Sequence, residues 1–223
     1  VTLDKNITVI GPKAGVNPNR KGTLETDAWT LSDDRSNAAE EAVITGKWSL
    51  RAGCQKLTVD GISITLKGGF KDDATTDETP IDVTFDNVMI HDISAADALS
   101  FGEGNNRQSG ARVGKLTLNH VRAYNNSRRL MLTALDDQSY NDCYFSGTNI
   151  IDFYRVPGVK DGNTDHTASY TVNGCYFDSI NYRNFLTLAI APTYSGSVAA
   201  YENIAFNITG NVFRNCIDSS TST

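Results

Sequence analysis

The sequence is poor in the features that would assign it to several common classes of protein. No apolar run among its 223 residues approaches the length that spans a bilayer, and four cysteines are too few for a disulfide scaffold. The net charge of −6 disfavours a nucleic-acid partner, which requires clustered positive charge. We therefore expect neither membrane insertion nor nucleic-acid binding. Abundant Thr, Ser, Asn, Asp and Gly, with 39% hydrophobic residues, indicate an extracellular or cell-surface location.

A short repeat is what the sequence does contain. Each unit has two apolar residues separated by one residue, then Asn, Asp or Thr, then a second short apolar segment, as in residues 57–64 and 170–177. The polar residues after the apolar pair are Asp60, Asp86, Asn119, Asn141, Asn173 and Thr209, at intervals of 22 to 36 residues. Repeats of this length indicate a solenoid. The alternation of apolar and polar residues predicts strands, with a tight bend at each Asn or Asp.

The same alternation predicts which side chains face the interior. One continuous stack is expected to contain Val59, Phe85, Leu118, Val172 and Ile208. Polar segments at residues 67–80, 101–114, 157–169 and 191–203 are expected to leave the repeats as loops, and residues 16–41 as a longer, elaborated loop. No linker divides the chain, so residues 1–223 are expected to form a single domain.

Several of these segments resemble a known family. Residues 7–11 (ITVIG), 42–46 (AVITG) and 57–62 (LTVDGI) are similar to the opening of right-handed parallel β-helix proteins of the pectin-lyase-like superfamily, and residues 208–216 (ITGNVFRNC) to their later coils. With the repeat, this resemblance predicts an all-β chain: a right-handed parallel β-helix of about 7–8 coils with long loops. The superfamily contains lyases, hydrolases, phage tailspikes and non-catalytic surface proteins. The resemblance therefore specifies the fold and leaves the activity open.

Two cysteines occupy the same position of the repeat. Cys143 and Cys175 are expected to lie one above the other in neighbouring coils. Strands about 4.8 Å apart would allow a disulfide, but small inward-facing thiols stack in the same way. Stacked reduced thiols are the favoured alternative. Cys54 and Cys216 belong to opposite ends and are not expected to pair.

The titratable residues do not form a recognisable catalytic set. Lyases of this fold typically hold Ca²⁺ with several carboxylates beside an Arg or Lys base. The acidic pairs here are adjacent residues, which point in opposite directions on an extended chain and are expected to be solvated. They are residues 33–34, 40–41, 72–73 and 136–137. The histidines are isolated, and His120 is expected to be a turn residue. No catalytic residue, metal site or cofactor is assigned, and Ca²⁺ is expected only under a lyase alternative.

One group of side chains is a candidate binding site. Alignment of the third strands places Asp97, Arg129 and Asp152 in one outward column, flanked by further cationic residues and a tyrosine. Arginines bind carboxylates or sulfates, and tyrosine stacks on sugar rings. The candidate binding residues are Arg129, Asp152, Tyr154, Arg155 and Arg183. The alternative, which is favoured, is a surface ladder in which Asp and Arg alternate between coils and relieve like-charge repulsion.

These observations favour a non-catalytic protein. The leading hypothesis is an extracellular structural or glycan-recognition β-helix module of a larger surface, filament or phage-fibre assembly, with a polysaccharide or cell-surface glycan as partner. The alternative is a polysaccharide lyase of the pectate- or chondroitin-lyase type that acts on acidic glycans. A convergent set of carboxylates with an Arg or Lys on one face would distinguish the two.

The termini lack a segment that resembles a cap. The chain starts at Val1 without a signal peptide, which suggests a processed product or an excerpt, and residues 218–223 are a short polar tail. Solenoids need covered ends. We expect continuation in a longer chain or head-to-tail self-association between copies. The remaining alternative is that residues 16–41 fold over the N-terminal coil.

Overall fold

A computed structural model describes residues 1–24, 27–72, 80–94, 97–101, 112–127, 130–133, 135–147, 151–152, 168–180 and 204–216. These ranges contain 22 strands and two short 3-10 turns, Asp33–Arg35 and Ala38–Glu40. No helix in them is long and apolar enough to cross a membrane. Twenty strands form three parallel sheets, and the other two, β3 (Asn19–Arg20) and β4 (Thr30–Leu31), pair in antiparallel fashion.

The three sheets are named A, B and C in the order in which the chain reaches them. Sheet A contains β1 (Thr2–Leu3), β6 (Lys47–Leu50), β9 (Gly69–Asp72), β12 (Leu99–Phe101), β15 (Met131–Thr133) and β18 (Ile151–Asp152). Sheet B contains β2 (Ile7–Ile10), β7 (Lys56–Asp60), β10 (Ile81–Asp86), β13 (Arg112–Asn119), β16 (Leu135–Asn141), β19 (Ala168–Asn173) and β21 (Ile204–Thr209). Sheet C contains β5 (Val43–Ile44), β8 (Ser63–Leu66), β11 (Met89–Ile93), β14 (Arg122–Tyr124), β17 (Tyr144–Ser146), β20 (Tyr176–Asp178) and β22 (Val212–Arg214).

The order of the strands is cyclic. β6, β7 and β8 lie in sheets A, B and C, and β9, β10 and β11 repeat that order. Each strand pairs in parallel with the equivalent strand of the neighbouring repeat, as β10 does with β7 and β13. The chain is thus an all-β protein of long parallel sheets, which fits a β-solenoid.

The polar residues that mark the repeat are aligned as the sequence predicts. In sheet B, Asp60, Asp86, Asn119, Asn141, Asn173 and Thr209 are successive partners in register. The residue after each of them has a positive φ, between 50° and 66°, and is Gly, Asn, His or Asp. This left-handed residue turns the chain from sheet B into sheet C. His120, with φ of 53°, is one of these turn residues, as predicted.

The predicted interior stack is confirmed except at its last member. Val59, Phe85, Leu118 and Val172 are buried and stand in one register column. Tyr140 completes the column between Leu118 and Val172, and its hydroxyl donates to Oε1 of Gln138 at 2.6 Å. Ile208 is in register but 44% exposed, so the prediction of its burial was wrong. Ile208 lies on β21, the last strand of sheet B in the described ranges, where no further strand covers it.

The two cysteines stack as reduced thiols. Cys143 and Cys175 are both buried and unbonded, and the backbone N–H of Cys143 approaches Sγ of Cys175 at 3.4 Å. Burial, reinforced by the neighbouring sulfur, raises the pKa of the Cys143 thiol well above its usual value. These side chains therefore act as small apolar groups of the core.

The first long excursion packs against the outer side of sheet C. We call residues 12–41 the strap. Nδ2 of Asn19 donates to the carbonyl oxygens of Val121 (3.3 Å) and Asp142 (3.2 Å). The Trp29 ring lies 5.5 Å from that of Tyr176. The strap therefore reaches from the first repeats to β20 and returns through β4. The alternative in which this segment folds over the N-terminal coil is wrong, because these contacts lie along sheet C.

Candidate functional site

The predicted binding residues lie mostly outside the described residues. Arg129, Tyr154, Arg155 and Arg183 fall in this group. Asp152 is described by its backbone alone, as the last residue of β18. The predicted site therefore stays a prediction.

The register of sheet A corrects the alignment on which that site was based. Asp152 is paired with Leu132, and Leu132 with Ser100, so Asp152 does not share a column with Asp97, which precedes β12. The register is set by the inner side of these strands, where Leu99 is paired with the equally buried Met131. A shift of alignment by a few residues is enough to change every outward neighbour.

The outer face of sheet B is the most regular surface in the described part of the chain. It consists of three columns of mostly polar residues, whose successive members lie on neighbouring strands. The middle column contains Thr8, Thr58, Thr84, Thr117, Ser139, Thr171 and Asn207. On one side lies the column of repeat markers from Asp60 to Thr209. On the other side lie Lys56, Asp82, Lys115, Asp137 and Ser169.

Hydrogen bonds between neighbouring strands hold the column of repeat markers in place. Nδ2 of Asn119 donates to Oδ1 of Asp86 at 2.6 Å, and Nδ2 of Asn141 donates to Oδ1 of Asn119 at 2.9 Å. Further along, the hydroxyl of Thr209 donates to Oδ1 of Asn173 at 3.0 Å. Because these amides and carboxylates bond to one another, this edge of the face is rigid and largely self-satisfied.

The threonines of the middle column have no such partners. The hydroxyls of Thr58, Thr84, Thr117 and Thr171 make no hydrogen bond to any described residue, and all four side chains are partly exposed. Each hydroxyl can both donate and accept, and each side chain also presents a methyl group. Strands in a sheet are about 4.8 Å apart, so the hydroxyls from Thr58 to Thr171 extend over about 19 Å, with Ser139 between Thr117 and Thr171.

The third column alternates in charge. Lys56, Asp82, Lys115 and Asp137 follow one another from β7 to β16, so each charge has only opposite charges beside it. The pattern of alternating charge that was predicted for the third strands thus occurs on sheet B. Such cross-strand pairs favour one register, because a slip of one repeat would bring like charges together.

The outer face of sheet C, by contrast, is covered by the strap. Arg35 is fully buried, and its Nε and Nη2 donate to the two carboxylate oxygens of Glu41 at 2.6 and 3.0 Å. Nη1 of Arg35 donates to the carbonyl oxygens of Val16 and Asn87 at 2.9 and 2.7 Å. This arginine therefore joins both ends of the strap to the turn before β11.

A second buried arginine fixes the middle of the strap. The guanidinium of Arg122 donates to the carbonyl oxygen of Thr30 at 3.2 Å and lies 3.9 Å from the centre of the Tyr144 ring. Burial lowers the pKa of Arg122 from its usual value. Cation–π contact with Tyr144 compensates part of the lost hydration.

No group of three or more His, Cys, Asp or Glu side chains that could hold a metal ion occurs among the residues that the structure describes. The hydroxyl column was missed in the sequence, although its signal was present. The residue between the two apolar positions of the repeat is Thr in most units, as in Thr58, Thr84, Thr117 and Thr171. The strap left no comparable signal, because its anchors are single residues without a period.

Searches with the chain found no matching family model, curated protein or solved structure. The class of protein is therefore defined by the fold alone. The chain is an all-β protein whose parallel strands, cyclic strand order and aligned repeat fit a β-solenoid.

Proposed function

We propose that the chain is a right-handed parallel β-helix of about seven to eight coils, of the pectin-lyase-like type, that serves as a non-catalytic glycan-recognition module at the cell surface or outside the cell. We propose a right-handed helix because connections between parallel strands are almost always right-handed. The repeat of three strands per turn supports the number of coils.

The observation that carries the functional proposal is the outer face of sheet B. Its middle column is Thr or Ser on six of seven strands, and four of these hydroxyls make no hydrogen bond to any residue that the structure describes. A surface that repeats in this way matches a ligand that also repeats. A polysaccharide is such a ligand, and its hydroxyl groups pair with side chains that both donate and accept.

The proposal includes membership of a larger assembly, either by continuation in a longer chain or by stacking of copies. Phe206, Ile208 and Phe213, on the last described strands of sheets B and C, are 44–49% exposed. Exposed apolar groups at the end of a solenoid favour a further contact. Analytical ultracentrifugation at several concentrations tests self-association, which predicts a sedimentation coefficient that rises with concentration.

The decisive experiment combines binding with activity. The purified chain should bind at least one polysaccharide in affinity electrophoresis and should release no unsaturated uronides from pectate or chondroitin, with or without Ca²⁺. Release of such products, abolished by Arg129→Ala or Asp152→Ala, would establish the lyase and overturn the proposal. Weak binding of an acidic glycan that is lost in Tyr154→Ala would support recognition through the third strands.

A further inference from the structure

We infer that the outer face of sheet B binds one extended, neutral polysaccharide chain, which runs across the strands with about one sugar residue per strand. This inference rests on the proposed glycan recognition, and it adds the place, the orientation and the chemical class of the ligand.

The orientation follows from the direction in which the face repeats. Along β7, β10 and β13 the three columns differ, from a charged residue through Thr to Asn or Asp. Across the strands the column stays constant, with Thr58, Thr84 and Thr117 in unbroken succession. A polysaccharide repeats along its length, so its long axis should follow the direction in which the side chains of the face repeat, which is across the strands. Strands are about 4.8 Å apart, which is close to the advance per sugar of an extended β-linked hexose chain.

The class of ligand follows from the charges. The alternating column contains two lysines, Lys56 and Lys115, each beside an aspartate of the neighbouring strand. The column of repeat markers adds two further carboxylates, those of Asp60 and Asp86. The face therefore has no excess of positive charge, and the whole chain carries −6. An acidic polysaccharide would be repelled here, whereas a neutral one meets hydroxyl, amide and methyl groups.

The central part of the face is the best-formed site. Thr58, Thr84 and Thr117 are consecutive and partly exposed, and their hydroxyls make no hydrogen bond within the described part of the chain. Ser139, by contrast, accepts a hydrogen bond from Nδ2 of Asn141 at 3.1 Å. The side chain of Asn207, at the end of the column, is exposed and chemically different. The contacts that matter most are thus expected at β7, β10 and β13.

The test uses variants that remove hydroxyls without changing shape. Thr84→Val combined with Thr117→Val keeps the volume and the β-branched form of both side chains. Thr65→Val is the matched control, because Thr65 is a partly exposed strand residue on sheet C. Circular dichroism and thermal melting verify that each variant folds.

The ligands are fluorescently labelled β-1,4-linked hexasaccharides of glucose, mannose and xylose, with hexagalacturonate as the acidic comparison. Binding is measured by fluorescence anisotropy at low and high salt. At least one neutral hexasaccharide should bind more tightly than hexagalacturonate, with little dependence on salt. The double variant should weaken this binding about tenfold, since one hydrogen bond is worth about a two- to tenfold change in affinity, and Thr65→Val should leave it unchanged. Affinity should also rise as the neutral chain is lengthened from two to about seven sugars.

Two results overturn the inference and are distinguishable from each other. If a glycan binds but the double variant has the affinity of the wild type, or if hexagalacturonate binds best, then recognition stands and the site on sheet B is wrong. If neither these hexasaccharides nor any polysaccharide binds the wild type, the proposed function itself fails.

Discussion

The outer faces of sheets B and C are built by the same repeat, yet one is uniform and bare and the other is irregular and covered. On sheet B the middle column is almost entirely Thr. On sheet C the equivalent outward column changes from Met89 through Arg122 and Tyr144 to Tyr176, all of which are buried, and the strap contacts Arg122 and Tyr176 directly. A face that packs against its own chain needs a different side chain at every contact, because the strap itself does not repeat. A face whose middle column is Thr on five of seven strands is under no such requirement.

If the proposed binding face is correct, the surfaces that stabilise the fold and the surface that binds ligand are different sheets of this molecule. Sheet C gains stability from a cover that is specific at each position, and substitutions there should destabilise the fold. Sheet B should gain little stability from the threonines of its middle column, four of which make no hydrogen bond to a described residue. Substitutions there should change binding and leave stability nearly unchanged.

Removal of the Arg35 side chain should have the largest effect on stability. In Arg35→Ala, the carboxylate of Glu41, which is only 3% exposed, would remain buried without its partner. The loss should lower the free energy of unfolding by about 3–5 kcal/mol. Urea denaturation followed by circular dichroism measures it.

The control is Arg20→Ala, which removes an exposed pair with Asp33 and should cost at most about 0.5 kcal/mol. Equal effects of the two variants would mean that the strap is not an integral part of the fold.

The interior stack of sheet B should show a gradient from its centre to its end. Leu118→Ala should lower the free energy of unfolding by about 2–5 kcal/mol, because Leu118 is fully buried and its removal leaves a cavity. Ile208→Ala, in the same column but 44% exposed, should cost about 1 kcal/mol or less. Urea denaturation of both variants checks the difference. A loss at Ile208 as large as that at Leu118 would show that the end of the stack is covered in solution.

Much of the fold could be predicted from the sequence because it depends on a period. The alternation of apolar residues placed Val59, Phe85 and Leu118 in one column, and the repeat markers fixed the bends. Tyr140 was not included in the interior stack, because a tyrosine becomes a core residue only when a partner such as Gln138 satisfies its hydroxyl. Gln138 is two residues away on the same strand, and nothing in the sequence indicates that its side chain accepts a hydrogen bond from Tyr140.

The candidate site could be predicted less well, for a physical reason. The predicted binding site depends on the alignment of the strands of sheet A. These strands have only two to four residues, so few buried side chains define their register. Sheet B has strands of four to eight residues, and its register is fixed by several inward positions. Residues 16–41 were predicted as a long loop, but their packing on sheet C could not be predicted, since Arg35 and Arg122 look like surface residues until the chain folds back over that sheet.

The column of repeat markers should be sensitive to charge. Asn119→Asp keeps the shape of the side chain but replaces the amide that donates to Oδ1 of Asp86 at 2.6 Å with a carboxylate. Two carboxylates at this distance repel, so the variant should lose about 1–3 kcal/mol of unfolding free energy at pH 7. Because a shared proton raises the folded-state pKa of the pair, the loss should shrink relative to the wild type as the pH falls towards 4. Asn119→Ser, which removes the amide without adding charge, is the control and should show no such pH dependence.

The smallest effect on stability is expected in the turn from sheet C to sheet A. A substitution there tests whether the turn residues after sheet C contribute to stability as those after sheet B do. The side chain of Asp92, in β11, accepts hydrogen bonds from Nδ1 of His91 at 2.7 Å and from Nδ2 of Asn125. These bonds, that from His91 foremost, lower the pKa of the Asp92 carboxyl from its usual value. A lowered folded-state pKa means that the carboxylate adds stability above the unfolded value of about 3.9 and that this stability is lost as the pH falls through the folded value.

The side chain of Asp92 is 47% exposed, so solvent screens most of the effect. Asp92→Asn should therefore cost only a few tenths of a kcal/mol at pH 6, and the difference from the wild type should vanish near pH 2. Urea denaturation between pH 2 and pH 6 measures it, with Asp34→Asn at an exposed position of the strap as the control. A cost that persists at pH 2 would show that the Asp92 carboxylate contributes nothing through its charge, and that this turn depends on backbone geometry alone.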